Sequence, residues 1–319
     1  MNSTKRPTEL IKSMWHASPP LLVVGPLMLI VAATSLVAMF VDPRIITGVP
    51  AWLKPFKFAI STAIYSLTLA WIFTWLMDWP RVRRIVGWTT AIVFVLEVAI
   101  IDVQAWRGTT SHFNVSTPLN ALLFTVMGSA IFLQTAVSVA TAVALWRHRF
   151  ADLTLGWALR LGMTLTIVGA MTGPFMTRPT AAQLADAHSG APMRIVGAHT
   201  VGGVDGGPGL PVTGWSTEHG DLRLPHFIGL HAIQAMALIA IALRRWRRPE
   251  NIRVRAMLVA AASYASLFVL LLWHALRGQS LLDTGASIAI WAIVTFVALG
   301  WIVLISRGAL RQSLDRITV

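Results

Sequence analysis

The chain has 319 residues, of which 55% are hydrophobic and only 12% charged, with a formal net charge of +13 and no cysteine. This hydrophobic fraction is far above soluble globular usage and predicts a membrane protein. The lack of cysteine excludes disulfides, iron–sulfur clusters and thiolate chemistry.

Apolar stretches of the length needed to cross a hydrocarbon core of about 30 Å recur along the whole chain. They predict an all-α, polytopic membrane protein with eight transmembrane helices. The predicted spans are Leu21–Val41, Phe58–Asp78, Ile85–Trp106, Leu119–Trp146, Thr154–Gly173, Pro225–Leu243, Arg255–Arg277 and Gly285–Ser306.

Most Lys and Arg residues fall on one side of these spans, and basic loops favour the cytoplasmic side. We therefore expect the N-terminal segment 1–20 and the tail 307–319 in the cytoplasm, and the loop 175–224 outside. This topology accounts for the positive charge, so the lipid bilayer is an expected partner and nucleic acid is not. The first apolar run is too long for a cleavable signal, which favours a bacterial-type inner membrane.

Two halves of the chain resemble each other weakly. A shift of 170 positions aligns Lys54-Pro55-Phe56 with Leu224-Pro225-His226, and Val103–Gly108 with Trp273–Gly278, while a shift of 131 aligns Thr34–Pro43 with Leu165–Pro174. We interpret this as a parallel tandem repeat of two four-helix units, 21–146 and 154–306, with the outer loop 175–224 in the second. His226, His231 and His274 then replace Phe56, Ser61 and Gln104.

The outer loop has two parts of different composition. Thr177–His188 favours a short helix capped by Thr180, with Ala and Gln in its first turns. The Gly- and Pro-rich remainder favours tight turns, and a loop of this length is often functional. Our hypothesis is that it forms a lid over the outer ends of the helices.

Unusual polar residues concentrate in the outer half of the predicted membrane region. His231 lies about 9 Å below the outer surface at 1.5 Å per residue, Gln234 lies one turn deeper, and His274 lies about one turn below the same surface. The third span adds Gln104, Asp102 and Glu97. Polar groups at this depth are costly, so a functional site is the default hypothesis.

Two cofactor hypotheses fit this cluster. Haem b would be ligated by His231 and His274, with Arg223 and Arg277 neutralising its propionates and Gln104 and Gln234 beside it. A divalent metal in a redox role would instead be bound near the outer surface, where imidazole and carboxylate groups suit zinc, iron or copper. Its candidate ligands are His199, His219, Asp221 and His226.

Two further interpretations need no cofactor. A transporter, or a protein binding a lipid, a quinone or a small solute, would use Glu97 or Asp102 for proton exchange. A purely structural cluster would only satisfy its own hydrogen bonds. The sequence contains no motif that fixes an enzymatic reaction, so the choice among these hypotheses depends on geometry.

Overall fold

A computed structural model describes residues 6–315, with side chains through residue 304. Within this range most residues are helical. The helices are α1 (Pro7–Ala17), α2 (Pro19–Val41), α3 (Leu53–Phe73), α4 (Pro80–Trp106), α5 (Pro118–Arg147), α6 (Leu153–Ala170), α7 (Gly173–Met176), α8 (Ala181–His188), α9 (Arg223–Leu230), α10 (Ala232–Arg245), α11 (Glu250–Leu276) and α12 (Gly285–Asp315).

Strands are minimal in the described part of the chain. Four two-residue strands are found, and a single turn of 3-10 helix, Leu282–Thr284, precedes α12. The strands are β1 (Ile45–Ile46), β2 (Val49–Pro50), β3 (Thr200–Val201) and β4 (Gly220–Asp221). β1 and β2 form an antiparallel hairpin in which Thr47 and Gly48 both have positive φ.

The helices confirm an all-α polytopic membrane architecture. Seven helical spans in the described residues are long and apolar enough to cross a membrane, and the bent pair α9 and α10 makes an eighth if it counts as one span. The predicted sixth span is thus present as two helices with a 47° bend. The predicted short helix after Thr177 is confirmed as α8, where Thr180 Oγ1 accepts from the backbone N–H of Gln183.

Contacts divide the chain into two compact units. The first unit consists of residues 1–144, 173–200 and 204–215, and the second of 145–172, 201–203 and 216–319. The first unit therefore holds α1 to α4, most of α5, α7 and α8, and the second holds α6 and α9 to α12. Most of the outer loop, residues 173–200 and 204–215, belongs to the first unit by its contacts.

In the first unit α2 lies along α3, and α4 packs on both. Small residues such as Ala59, Ala63 and Ala91 line this contact together with Met28 and Phe94, which lets the helix backbones approach closely. α5 packs on α4 through a second apolar cluster formed by Ile100, Ile101 and Met127.

In the second unit α6 packs against α9 and α10, α11 packs on these helices, and α12 packs on α11. The helices that the proposed repeat equates, α2 with α6 and α3 with α9 and α10, therefore have corresponding partners within their own units. The repeat itself stays a prediction. α12 exposes large apolar side chains such as Ile290, Phe296 and Trp301, as expected for a helix in contact with lipid.

Candidate functional site

Many polar residues near the predicted outer ends of the helices anchor loops. In the connection between α2 and α3, Arg44 Nε and Nη2 donate to the two carboxylate oxygens of Asp42 at 2.9 and 2.6 Å. Trp52 Nε1 donates to the same carboxylate at 2.7 Å. These bonds, those from the Arg44 guanidinium first, hold the pKa of the Asp42 carboxyl well below its usual range.

His199, a predicted metal ligand, belongs to such an anchor in the first unit. Its Nδ1 lies 2.7 Å from Asp205 Oδ2, and the backbone N–H groups of His199 and Thr200 donate to the same carboxylate. Burial raises the pKa of Asp205, but the bonds from His199 and Thr200 outweigh it and hold that pKa well below its usual range. The imidazole also packs edge-on against Phe113, with ring centroids 4.7 Å apart.

Asp221 and Arg223, predicted respectively as a metal ligand and a propionate partner, bind each other at the start of α9. Arg223 Nε donates to Asp221 Oδ1 at 2.9 Å, and Nη2 donates to Oδ2 at 2.6 Å. The backbone N–H of Ser216 donates to the same carboxylate, which is buried. The pair therefore fixes the segment that leads into α9.

The other two predicted metal ligands also have local partners in the second unit. The backbone N–H of His219 donates to Ser216 Oγ, and its ring lies so close to Gly203 that an added Cβ would be 2.1 Å from it. His226 Nδ1 lies 3.0 Å from the carbonyl oxygen of Gly169 and 2.8 Å from Thr172 Oγ1. Across the described residues, no group of three or more His, Asp or Glu side chains is arranged to hold a metal ion.

Gln104 is part of a closed network in the connection between α4 and α5. Its Nε2 donates to Asn120 Oδ1 and to the carbonyl of Thr110, and its Oε1 accepts from Arg107 Nη1 at 2.6 Å. The side chain is fully buried and both ends of its amide are bonded within this connection.

Glu97 differs from these anchors. It lies in α4, about 14 Å from the helix end at Trp106 at 1.5 Å per residue, and only 2% of its surface is exposed. Glu97 Oε1 is 3.6 Å from His112 Nε2, too long for a hydrogen bond but within ion-pair range. Its Oε2 is buried without a hydrogen-bond partner among the residues described.

The surroundings of Glu97 contain further chemistry. The ring of His112 contacts Phe58 edge-on at 5.6 Å, and Lys54 Nζ lies 5.7 Å from the centroid of the Phe58 ring. Lys54 also interacts electrostatically with the Glu97 carboxylate. We call Glu97, His112, Lys54 and Phe58 the Glu97 site.

Sequence reasoning found Glu97 but did not pair it with His112. The signal that favours this pairing is Gly108, which has a positive φ directly after α4 and lets the chain turn back towards the helix. Asp102, the other predicted proton-exchange residue, has a buried Oδ1 for which the described part of the chain offers no hydrogen-bond partner.

The second unit contains an interrupted membrane helix. α9 ends at Leu230 and α10 begins at Ala232, with His231 between them. Thr166 Oγ1 donates to the carbonyl of Leu230 at 3.3 Å and accepts from the backbone N–H of Ile233 at 3.1 Å. The hydroxyl of Thr166 thus stands inside the helical hydrogen-bond ladder, a recognised cause of a helix bend.

Two other contacts maintain the interruption. Tyr264 Oη donates to the carbonyl of Ile228 at 2.6 Å. Gly169 of α6 and Gly229 of α9 approach so closely that a Cβ on either would lie 2.4 Å from the backbone of the other. The bend is therefore built from side chains of α6 and α11, because backbone groups freed within a membrane need internal partners.

The predicted haem ligands take different positions around this interruption. The ring of His231 packs on Phe227 with centroids 4.4 Å apart, and Gln234 lies in the first turn of α10. His274 lies in the last turn of α11, where its Nδ1 is 2.7 Å from Gln279 Oε1. Arg277, the second predicted propionate partner, stacks over Trp273 at 5.6 Å.

No known protein family, curated protein or solved structure matches the chain.

Proposed function

We propose that the chain is a proton-coupled membrane transport protein. In this proposal Glu97 of the first unit takes up and releases the proton, and the interruption between α9 and α10 in the second unit binds a small polar solute. The observation that carries the proposal is the Glu97 carboxyl, which is buried deep in a membrane helix with one oxygen facing His112 and the other unbonded among the described residues.

The Glu97 site suits reversible protonation. A charged carboxylate within a membrane is costly, and it becomes tolerable when cationic groups such as a protonated His112 and Lys54 are near. The neutral carboxyl needs no such partner. A group whose two protonation states are both accommodated is suited to proton exchange, and intramembrane carboxylates and histidines serve as proton relays in transporters.

The interrupted helix supports transport in a second way. Secondary transporters bind solutes at discontinuous membrane helices, where helix ends and freed backbone groups contact the ligand. At the interruption the freed backbone groups are held by Thr166 and Tyr264, so a solute would be contacted by side chains such as Gln234 in the first turn of α10. A solute with hydrogen-bonding groups is the kind of ligand that such a segment recognises.

Dicyclohexylcarbodiimide tests the role of Glu97, because this lipid-soluble reagent adds to protonated carboxyl groups and the adduct is located by mass spectrometry. In right-side-out membrane vesicles we expect labelling of Glu97 to fall as the external pH is raised from about 5 to about 9. Glu97→Gln should lose the label, whereas Asp102→Asn should keep labelling at Glu97. Labelling that is independent of pH over this range would contradict the proposal.

Transport is tested by solid-supported membrane electrophysiology with amino acids, dicarboxylates and sugars as probes. A solute-induced current that Glu97→Gln abolishes is the expected result. If Glu97 labelling responds to pH but no probe produces a current, coupling to transport is refuted and Glu97 is left as a proton-binding group alone.

Haem binding is the second candidate function, and one contact favours it. When His274 Nδ1 donates to Gln279 Oε1, the ring presents Nε2 as a ligand in the orientation that ligating histidines usually have. The bonding of Arg223 to Asp221 and the stacking of Arg277 on Trp273 weaken the same candidate, because both propionate partners are already engaged.

A further inference from the structure

Polar side chains continue beyond Glu97 towards the predicted inner end of the first unit. One turn along α4, Phe94 packs on Tyr65 of α3 with ring centroids 5.4 Å apart. The hydroxyl of Tyr65 lies 3.4 Å from Ser138 Oγ in α5, and Gln134 Nε2 lies 3.4 Å from the same oxygen. Two helices, α3 and α5, thus bring polar groups together beside Phe94, one turn from Glu97 in α4.

Further polar side chains follow in the same three helices. Thr90 lies one turn beyond Phe94 in α4, Thr141 lies one turn beyond Ser138 in α5, and Ser66 follows Tyr65 directly in α3. The exposed fraction is 0% for Thr90, Thr141 and Ser66. We call the whole set the buried row: Tyr65, Ser66, Thr90, Gln134, Ser138 and Thr141.

Ser138 Oγ donates to the carbonyl of Gln134 in its own helix at 2.8 Å, but most of the buried row is not satisfied in this way. Ser66 Oγ, Thr90 Oγ1, Thr141 Oγ1 and Gln134 Oε1 have no hydrogen-bond partner within the part of the chain that the structure describes. Nearby threonines behave differently, because Thr62, Thr125 and Thr135 each donate to the carbonyl four residues earlier. Polar groups left unbonded inside a membrane are costly, and their retention there favours a function.

We propose that the buried row is a proton path that connects Glu97 with the predicted inner end of the first unit. This inference rests on the proposed role of Glu97 in proton exchange. Water molecules bound to the unbonded oxygens of the row carry the proton between them. Each water or hydroxyl accepts a proton on its oxygen and releases its own hydrogen to the next acceptor, so that one proton enters at one end for each proton that leaves at the other. Gln134 orients Ser138 and Tyr65 in this scheme.

The side from which Glu97 is protonated tests the path. In inside-out membrane vesicles the bulk solution sets the pH at the inner face, while the enclosed buffer holds the pH at the outer face. Labelling of Glu97 by dicyclohexylcarbodiimide in the wild-type protein should then respond to the bulk pH. Thr141→Val and Gln134→Leu should lose this response and keep the response to outer pH in right-side-out vesicles.

Thr135→Val is the matched control, because it removes a hydroxyl from the same helix at an exposed position where the group is already bonded to the carbonyl of Ile131. It should respond like the wild type on both sides. A wild-type protein that responds only to outer pH, or row variants that still respond to inner pH, would overturn the path and leave the proposed function standing. A protein that responds to neither side would overturn the proposed function itself.

Discussion

The contact between Gly169 and Gly229 provides the sharpest test of the interrupted helix. In Gly229→Ala the new Cβ would lie 2.4 Å from Gly169 Cα and 3.0 Å from the ring of Phe268. Because the nearest obstacle is backbone, α9 must move by about 1 Å away from α6 to restore ordinary contact. This movement also stretches the bonds that join His226 to Gly169 and Thr166 to Leu230.

We expect Gly229→Ala to lower the free energy of unfolding by about 3 kcal/mol, with overpacking and the weakened hydrogen bonds both contributing. The thermal midpoint in detergent, followed by tryptophan fluorescence, should fall by about 5 °C or more. Gly128→Ala is the matched control, since a Cβ at this helical position meets no atom within 4 Å. It should be neutral or slightly stabilising. Equal midpoints for the two variants would refute the close approach of α6 and α9.

Three further predictions concern the same elements. Thr166→Val should remove both bonds at the interruption and speed amide hydrogen exchange around His231, at a cost of about 1 to 3 kcal/mol. The lowered pKa of Asp205 means that its bonds to His199 stabilise the outer loop fully above the ordinary pKa of an aspartate, about 4, and that this stabilisation is lost progressively as the pH falls from there through the lower pKa of the folded state. Exchange of the loop amides, corrected for intrinsic rates, should therefore rise over this acidic range. Asp205→Asn should show the faster exchange already at neutral pH. If haem is bound, the purified protein should show a Soret band, and His231→Ala and His274→Ala should each remove that band. A protein that shows no Soret band and contains no metal by elemental analysis would exclude both cofactor hypotheses.

The sequence predicted the membrane architecture because hydrophobic length is a local property of the chain. It also predicted α8, since a Thr followed by Gln three residues later is a local capping signal. It did not predict the bend at His231. The apolar pattern continues through this residue, and the groups that interrupt the ladder, Thr166 and Tyr264, come from distant parts of the chain.

The polar cluster shows the same limit. The sequence could assign each acid, His and Arg a depth in the predicted membrane, but it could not identify the hydrogen-bond partner of each side chain. The sequence allowed Asp221 and Arg223 to be two separate functional groups or a pair at the rim, and in the structure their spacing of two residues lets them bind each other. The same spacing in Asp42 and Arg44 gives the same contact, so an Asp-x-Arg pattern at a helix end favours a loop anchor.

The predicted repeat bears on the separate roles that we propose for the two units. At a shift of 170, Tyr264 corresponds to Phe94. The hydroxyl of Tyr264 donates to the carbonyl of Ile228, and Phe94 lacks this hydroxyl. α3 is continuous, whereas the corresponding helices α9 and α10 are interrupted. Glu97 corresponds to Leu267, so the buried carboxyl has no counterpart in the second unit. The first unit thus has Glu97 where the second has Leu267, and the second unit has Tyr264 where the first has Phe94. Two copies under a single structural constraint would keep the same residue at both positions, whereas this exchange is the pattern expected when one unit handles the proton and the other binds the solute.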